Sequence, residues 1–311
     1  MKAVVITSYG DISQLNDADI PMPLIGEQDV LVEIRAASVN AVDWKIRSGY
    51  MKEILAYEFP LVLGLDIAGV VKKVGAAVSR FKVGDAVLAK SNLADNGGYA
   101  AYTALHENLL EKIPNGVSFE KAAALPLAGM TAWQALTTFA GLTAGERVLI
   151  QGGAGGIGSF AIQFAKALGA KVIATASTRH VAWLKRLGVD HAIVYDQEDF
   201  AQVLRDMPVD VVLDAVGGEV LTRSYGVLKR GGRMVSIQEP PNPALEEMYG
   251  VKASFFVTLE GGNHLNEIVK LMDEGKVDPL IRTVLPLTAN GIREAHSLIE
   301  DGHTYGKIVL A

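Results

Sequence analysis

The sequence predicts an α/β protein: a β-rich domain followed by a doubly wound, six-stranded parallel sheet. Three observations carry this. Short β-branched runs broken by glycine and proline fill roughly the first 120 residues. A glycine-rich turn within 147–158 then joins a short apolar run to a segment of helical periodicity. From that turn onward, strand-length runs alternate with helix-length segments.

Residues 2–7 alternate around β-branched side chains and 29–36 repeat the pattern, with Gly10 and the Pro21, Pro23 and Gly26 cluster between them. Strands are expected at 67–74 and 86–89, with turns at Gly75, Gly84 and Gly97-Gly98. Near residue 120 the character shifts to helix-forming stretches at 121–125 and 131–139, and the domain boundary is expected there. After the glycine turn, Ile157, Ala161, Phe164, Ala165 and Leu168 recur at helical spacing and Gly169 caps the run. Strands are then expected at 172–175, 192–195, 209–213, 233–237 and 253–257, with helices at 180–187, 200–206 and 220–229 between them. Right-handed crossovers would place a ligand at the carboxyl ends of these strands. A helix at 264–273, a strand at 281–285, a helix at 292–299 and a strand at 307–310 do not extend that alternation and read as a return to the first domain.

The 311 residues are enough for two domains on the soft prior of roughly 150 residues each. A net charge of −6 with no basic stripe argues against a nucleic-acid partner. No run of roughly 18 residues is apolar enough to span a membrane. The first residues read as a strand rather than a secretory signal, so a cytoplasmic location is expected. There are no cysteines, which removes disulfides, thiol catalysis and Cys-ligated zinc together.

Gly64-Leu65-Asp66-Ile67-Ala68-Gly69-Val70-Val71-Lys72-Lys73-Val74-Gly75, ahead of the glycine turn, and the closing Gly306-Lys307-Ile308-Val309-Leu310 resemble the medium-chain dehydrogenase/reductase superfamily. Ala37-Ser38-Val39-Asn40-Ala41-Val42-Asp43-Trp44-Lys45-Ile46-Arg47-Ser48-Gly49 is similar to its quinone oxidoreductase branch and plant enone oxidoreductase-like relatives. The resemblance implies a GroES-like β-barrel catalytic domain drawn from both ends of the chain, 1–120 and 258–311, and a Rossmann domain at 121–257. It also implies an active site in the cleft between them and a homodimer. Zinc-dependent members carry Gly-His-Glu where this chain has Gly64-Leu65-Asp66, and a leucine cannot ligate a metal. No metal is expected.

Gly153, Gly155 and Gly158 fit G-x-G-x-x-G, so Gly153, Ala154, Gly155, Gly156 and Ile157 are expected against a pyrophosphate at the helix N-terminus. An NAD-preferring site places Asp or Glu at the end of the second strand, but here that end reads Ala174-Thr175-Ala176-Ser177-Thr178-Arg179. Ser177 and Thr178 offer hydroxyls and Arg179 a guanidinium suited to a 2′-phosphate, which points to NADPH. The alternative for Arg179 is a solvated residue opening the next helix. Tyr195 matches a position that some NADPH-dependent relatives use against that phosphate. Thr131 matches a position near the nicotinamide, or is a helix-start hydroxyl. Val216, Ser236 and Ile237 lie where the sheet presents the nicotinamide half, and Phe256 and Val257 match neighbours of the carboxamide.

Without a metal, the acceptor should spread the developing negative charge itself, as quinones and α,β-unsaturated carbonyls do. Asn40 is the first choice for a polar contact to the acceptor oxygen, or else a turn residue. Tyr50 and Lys45 are further donors, or else ordinary surface side chains. Two other enzyme readings stay open, a zinc-free alcohol dehydrogenase and an enoyl-thioester reductase, as does a low-turnover NADPH-binding sensor. Tyr225 and Lys229 spell Y-x-x-x-K, a dyad of short-chain dehydrogenases, but within an expected crossover helix. His303 reads as a turn residue.

Overall fold

A computed structural model describes residues 1–55, 57–92, 97–259, 264–302 and 304–311, so His303 lies outside the described residues. The chain divides into two compact units. One comprises Met1–Leu127, Glu260–Asp273 and Pro279–Ala311, and the other Ala128–Leu259 and Glu274–Asp278.

In the second unit, six described strands form one parallel sheet in the order His191–Val194, Lys171–Ala176, Arg147–Gln151, Val209–Asp214, Leu228–Ser236, Lys252–Phe255. By position in the chain this is 3-2-1-4-5-6, the Rossmann order. Its central strands are apolar on both faces because helices cover both: Val148, Leu149, Ile150, Val211 and Val212 are fully buried. The order reverses between Arg147–Gln151 and Val209–Asp214, and the crevice outside their carboxyl ends is where such a sheet takes a dinucleotide.

The helix expected over 220–229 is shorter. It spans Gly218–Ser224, tightens into a 3-10 turn at Tyr225–Val227, and yields to the strand Leu228–Ser236. Lys229 is therefore a strand residue bonded to Asp210 at 2.6 Å, while the Tyr225 hydroxyl accepts from the Asn242 N–H at 2.9 Å. The Y-x-x-x-K spacing thus puts no dyad on one helix face.

The first unit is organised by its 11-residue strand Asp29–Val39. It pairs antiparallel with Asp66–Val74, with Tyr102–His106 and with the C-terminal strand Lys307–Leu310. Registers Ser38↔Asp66 and Ile308↔Val39 bring the start of one neighbour and the start of the other against the end of this strand. There the chain turns into the helix Ala41–Arg47. Asn40 stays extended at φ −126° as its N-cap and donates its backbone N–H to Asp43 Oδ2 at 2.8 Å.

Candidate functional site

In the second unit the glycine turn is built by steric demand. Gly152 has φ +75°, the left-handed region open to glycine, and is the turn residue proper, one place ahead of the G-x-G-x-x-G frame. A Cβ on Gly153 would lie 2.7 Å from Ala174 Cβ on the neighbouring strand, and one on Gly158 only 2.2 Å from the Gly152 carbonyl oxygen. Close packing of the turn on that strand requires glycine at Gly153, and close packing of helix on turn requires it at Gly158. At Gly155 the same Cβ would meet only the Gly152 oxygen, at 3.3 Å. Gly155 caps the helix Gly156–Ala167 and has no side chain to satisfy the first free N–H groups. A bare, uncapped, 12-residue helix N-terminus beside an open glycine fits a pyrophosphate.

Residues outside the motif hold the turn. Thr175 Oγ1 accepts from Gly152 N–H at 3.0 Å and donates to Gln151 Oε1 at 2.9 Å, and the Thr175 carbonyl accepts from Gly153 N–H at 2.8 Å. Asp214, fully buried, does the same for the next two loops. Its carboxylate accepts from the N–H of Val216 at 3.1 Å and of Gly217 at 3.0 Å, and from Ser236 Oγ at 2.9 Å. The Ser236 hydroxyl is thus committed within the protein, whereas Val216 projects and is half-exposed. Ile237 is half-buried beside it, its N–H bonded to the Asp214 carbonyl. Thr131 Oγ1 lies 2.6 Å from Thr258 Oγ1; Phe256 is buried and stacked on Phe139, and Val257 is exposed.

At the end of Lys171–Ala176, Ser177 is buried with its hydroxyl 3.3 Å from His180 Nδ1, while Thr178 and Arg179 are exposed, as is Tyr195. A carboxylate does reach this place. Asp196 accepts from Thr178 N–H at 2.9 Å and Thr178 Oγ1 at 3.0 Å. Its desolvation acts against ionisation but is outweighed by these bonds and by the Arg179 charge, so its pKa stays below the usual carboxylate range.

In the first unit, the strand registers gather a buried polar cluster. Asp66 is fully buried. Its Oδ2 accepts from Asn40 Nδ2 at 2.8 Å and Ser38 Oγ at 2.9 Å, and its Oδ1 from the Leu127 N–H at 2.8 Å. Lys307, also buried, reaches Asp66 Oδ2 at 3.5 Å and the Val39 carbonyl at 3.2 Å, and donates to Asn40 Oδ1. Desolvation pulls the Lys307 pKa down, and the charges of Asp66 and Asp43 oppose it. Asn40, 8% exposed, is held with its carbonyl toward the ammonium and its amide toward the carboxylate, leaving one N–H of Nδ2.

Asp43 extends the cluster. It accepts from Tyr99 OH at 3.0 Å, and Tyr99 in turn lies 3.4 Å from His296 Nε2, whose Nδ1 is 3.4 Å from Arg47. Burial, with Asp66 adding to it, raises the Asp43 pKa to about 7; burial, with the Arg47 charge, lowers that of His296 to about 3. Lys45 is half-buried on the same helix as Asp43, and Tyr50 is 76% exposed just beyond it. Leu65 is buried beside Asp66, whose carboxylate is matched by Lys307. Among the described residues no group of three or more His, Cys, Asp or Glu converges as a metal site.

An alcohol dehydrogenase GroES-like domain model matches residues 26–115, and a model described as zinc-binding dehydrogenase matches 187–310. The chain is 38% identical to the 2-methylene-furan-3-one reductase of Solanum lycopersicum over all of its length and 79% of that protein's. It is 37% identical, with the same coverage, to a chloroplastic NADPH-dependent alkenal/one oxidoreductase of Arabidopsis thaliana. The solved quinone oxidoreductase of Coxiella burnetii superposes with a TM-score of 0.89 at 35% identity, over all of this chain and 98% of that one. The chain belongs to the medium-chain dehydrogenase/reductase superfamily, in its quinone and enone oxidoreductase branch.

Proposed function

We propose that this chain is an NADPH-dependent oxidoreductase that transfers hydride, without a metal ion, to a quinone or an α,β-unsaturated carbonyl. The observation that carries the acceptor class is at Asn40, Asp66 and Lys307. Where zinc-dependent members place a histidine ligand, this chain buries Leu65, and an ammonium and a carboxamide occupy the polar cluster beside it.

NADPH, when bound, supplies the hydride. The N–H groups from Gly155 to Ile157 hold its pyrophosphate, with Gly153 and Ala154 shaping the turn, and Ser177, Arg179 and Tyr195 face the 2′-phosphate with Thr178 behind them. Thr131, Val216, Ile237, Phe256 and Val257 bound the nicotinamide half, and Ser236 positions its loop through Asp214. Asn40 donates its remaining N–H to the acceptor oxygen. The Lys307 charge on its carbonyl makes that N–H a stronger donor as negative charge accumulates. Conjugation spreads the charge of the resulting enolate, and a proton delivered by water, Tyr50 or Lys45 completes the reduction.

Loss of NADPH absorbance on adding allyl ketones, quinones and an enoyl thioester tests the reading. Turnover with the first two and not the third is expected. Preference for the thioester, or tight binding of NADPH with no oxidation across the set, would overturn it in favour of an acyl reductase or a sensor.

Two further parts belong to the same reading. Among the described residues the strand Lys252–Phe255 ends the sheet order, with Phe255 and Val257 exposed on and after it, and such an edge favours pairing with a second copy into a homodimer. Light scattering after size exclusion reads that directly. NADPH is an intracellular reductant, which favours the cytoplasm; among the described residues no helix is long and apolar enough to cross a membrane.

A further inference from the structure

Parallel pairing runs to Ala176↔Val194 and is extended by the Tyr195 N–H bonding the Ala176 carbonyl at 3.1 Å. That register sets Thr178 against Asp196. Both Thr178 donors, N–H and Oγ1–H, end on the Asp196 carboxylate, and Gln197 Nε2 donates to Thr178 Oγ1 at 2.9 Å. The hydroxyl that the sequence offers to a phosphate is therefore already spent, and the partner that spends it carries a full negative charge beside Arg179.

We infer that Asp196 selects against the cofactor's 2′-phosphate, so that it narrows the preference for NADPH over NADH that Arg179 creates. This rests on the NADPH reading above. A phosphate monoester carries about −1.5 to −2 charges near neutrality and is repelled by a neighbouring carboxylate. A free ribose hydroxyl is instead a donor that a carboxylate accepts, as acidic residues do in NAD sites. One residue thus acts in opposite directions on the two cofactors. The site is exposed, so the repulsion is screened within a Debye length of roughly 8–10 Å and is modest and salt-dependent.

The test compares the intact wild-type protein with Asp196→Asn, which keeps an acceptor for the Thr178 N–H but removes the charge, and with Arg179→Ala. Dissociation constants for NADPH and NADH are read from quenching of tryptophan fluorescence at low and high salt, with circular dichroism as the check on folding. Asp196→Asn should tighten NADPH about three- to tenfold, leave NADH unchanged or weaker, and lose most of this effect in high salt. An unchanged ratio of the two constants, or one shifted toward NADH, would overturn the assignment. The NADPH reading fails separately, through a wild type that does not bind NADPH more tightly than NADH together with an Arg179→Ala variant that alters neither.

Discussion

The two polar centres of this chain are built on opposite plans. The dinucleotide turn is made of backbone: a left-handed Gly152, a Gly153 and a Gly158 whose missing side chains let the turn touch the neighbouring strand and the helix, and a helix end with no capping side chain. It holds no ionised group, and its glycines fall within one short stretch of the chain, 152–158. The cluster around Asn40 is made of side chains, with Asp43, Asp66, Arg47, His296 and Lys307 all buried and drawn from segments up to 267 residues apart. A backbone site presents fixed dipoles whatever the pH. A buried side-chain site stores charge, and its energy depends on every partner being present.

That dependence sets the largest expected effect. Lys307→Met leaves the Asp66 carboxylate buried without its cation, and breaking a buried pair costs about 3–5 kcal/mol. Urea unfolding should show a loss of that size. Adding Asp66→Asn to the same chain should restore a good part of it, since the stranded charge is then gone. A double variant as unstable as the sum of the singles would mean that the two residues are not coupled and that the contrast between the centres is misdrawn.

Legibility in the sequence follows the same contrast. The six strands are legible because each is a local apolar run, as where 209–213 is expected and Val209–Asp214 is found, but their neighbours in the sheet come from the structure. The helix expected over 220–229 overruns because the chain tightens into the 3-10 turn Tyr225–Val227, and strand pairing of Leu228 with Val209 overrides local propensity. Asn40 could be singled out by type and place, but not its grip by Lys307 and Asp66, which only sheet register creates. Asp196 was invisible for a related reason. A fingerprint that looks for an acid about 20 residues past the glycines passes over one that arrives from the next strand.

The side-chain centre should also answer to pH. Asp43 is raised to about 7 in the folded chain, so between about pH 4 and 7 the native state keeps a proton that the unfolded chain has lost, and this group lowers stability as pH rises. His296 is lowered to about 3, so from about pH 3 to 6.5 the unfolded chain binds a proton that the native state refuses, and this group raises stability with pH. The two slopes oppose each other over most of that window. Asp43→Asn removes one of them. Relative to wild type, the stability of Asp43→Asn should climb by up to about 1.4 kcal/mol per pH unit between pH 4 and 7. A difference between the two proteins that stays flat across that range would show that Asp43 ionises normally inside the unit.

The smallest effects separate packing from binding within the turn itself. Gly158→Ala would drive a Cβ to 2.2 Å from a backbone oxygen and 2.8 Å from Gly153 Cα, neither of which is the end of a flexible side chain, so the helix must shift. Overpacking of that kind costs roughly 1–3 kcal/mol, and cofactor affinity should fall with it because the helix N-terminus moves. Gly155→Ala is different. Its backbone, φ −69° and ψ 174°, is open to any residue, and the new methyl meets only one oxygen at 3.3 Å. Unfolding should therefore change by less than about 0.5 kcal/mol, while NADPH binding weakens about tenfold, a loss of about 1.4 kcal/mol, because the methyl stands where the pyrophosphate approaches. Equal losses of stability in the two variants, or undiminished NADPH binding by Gly155→Ala, would move the phosphate away from Gly155 and leave the turn as packing alone.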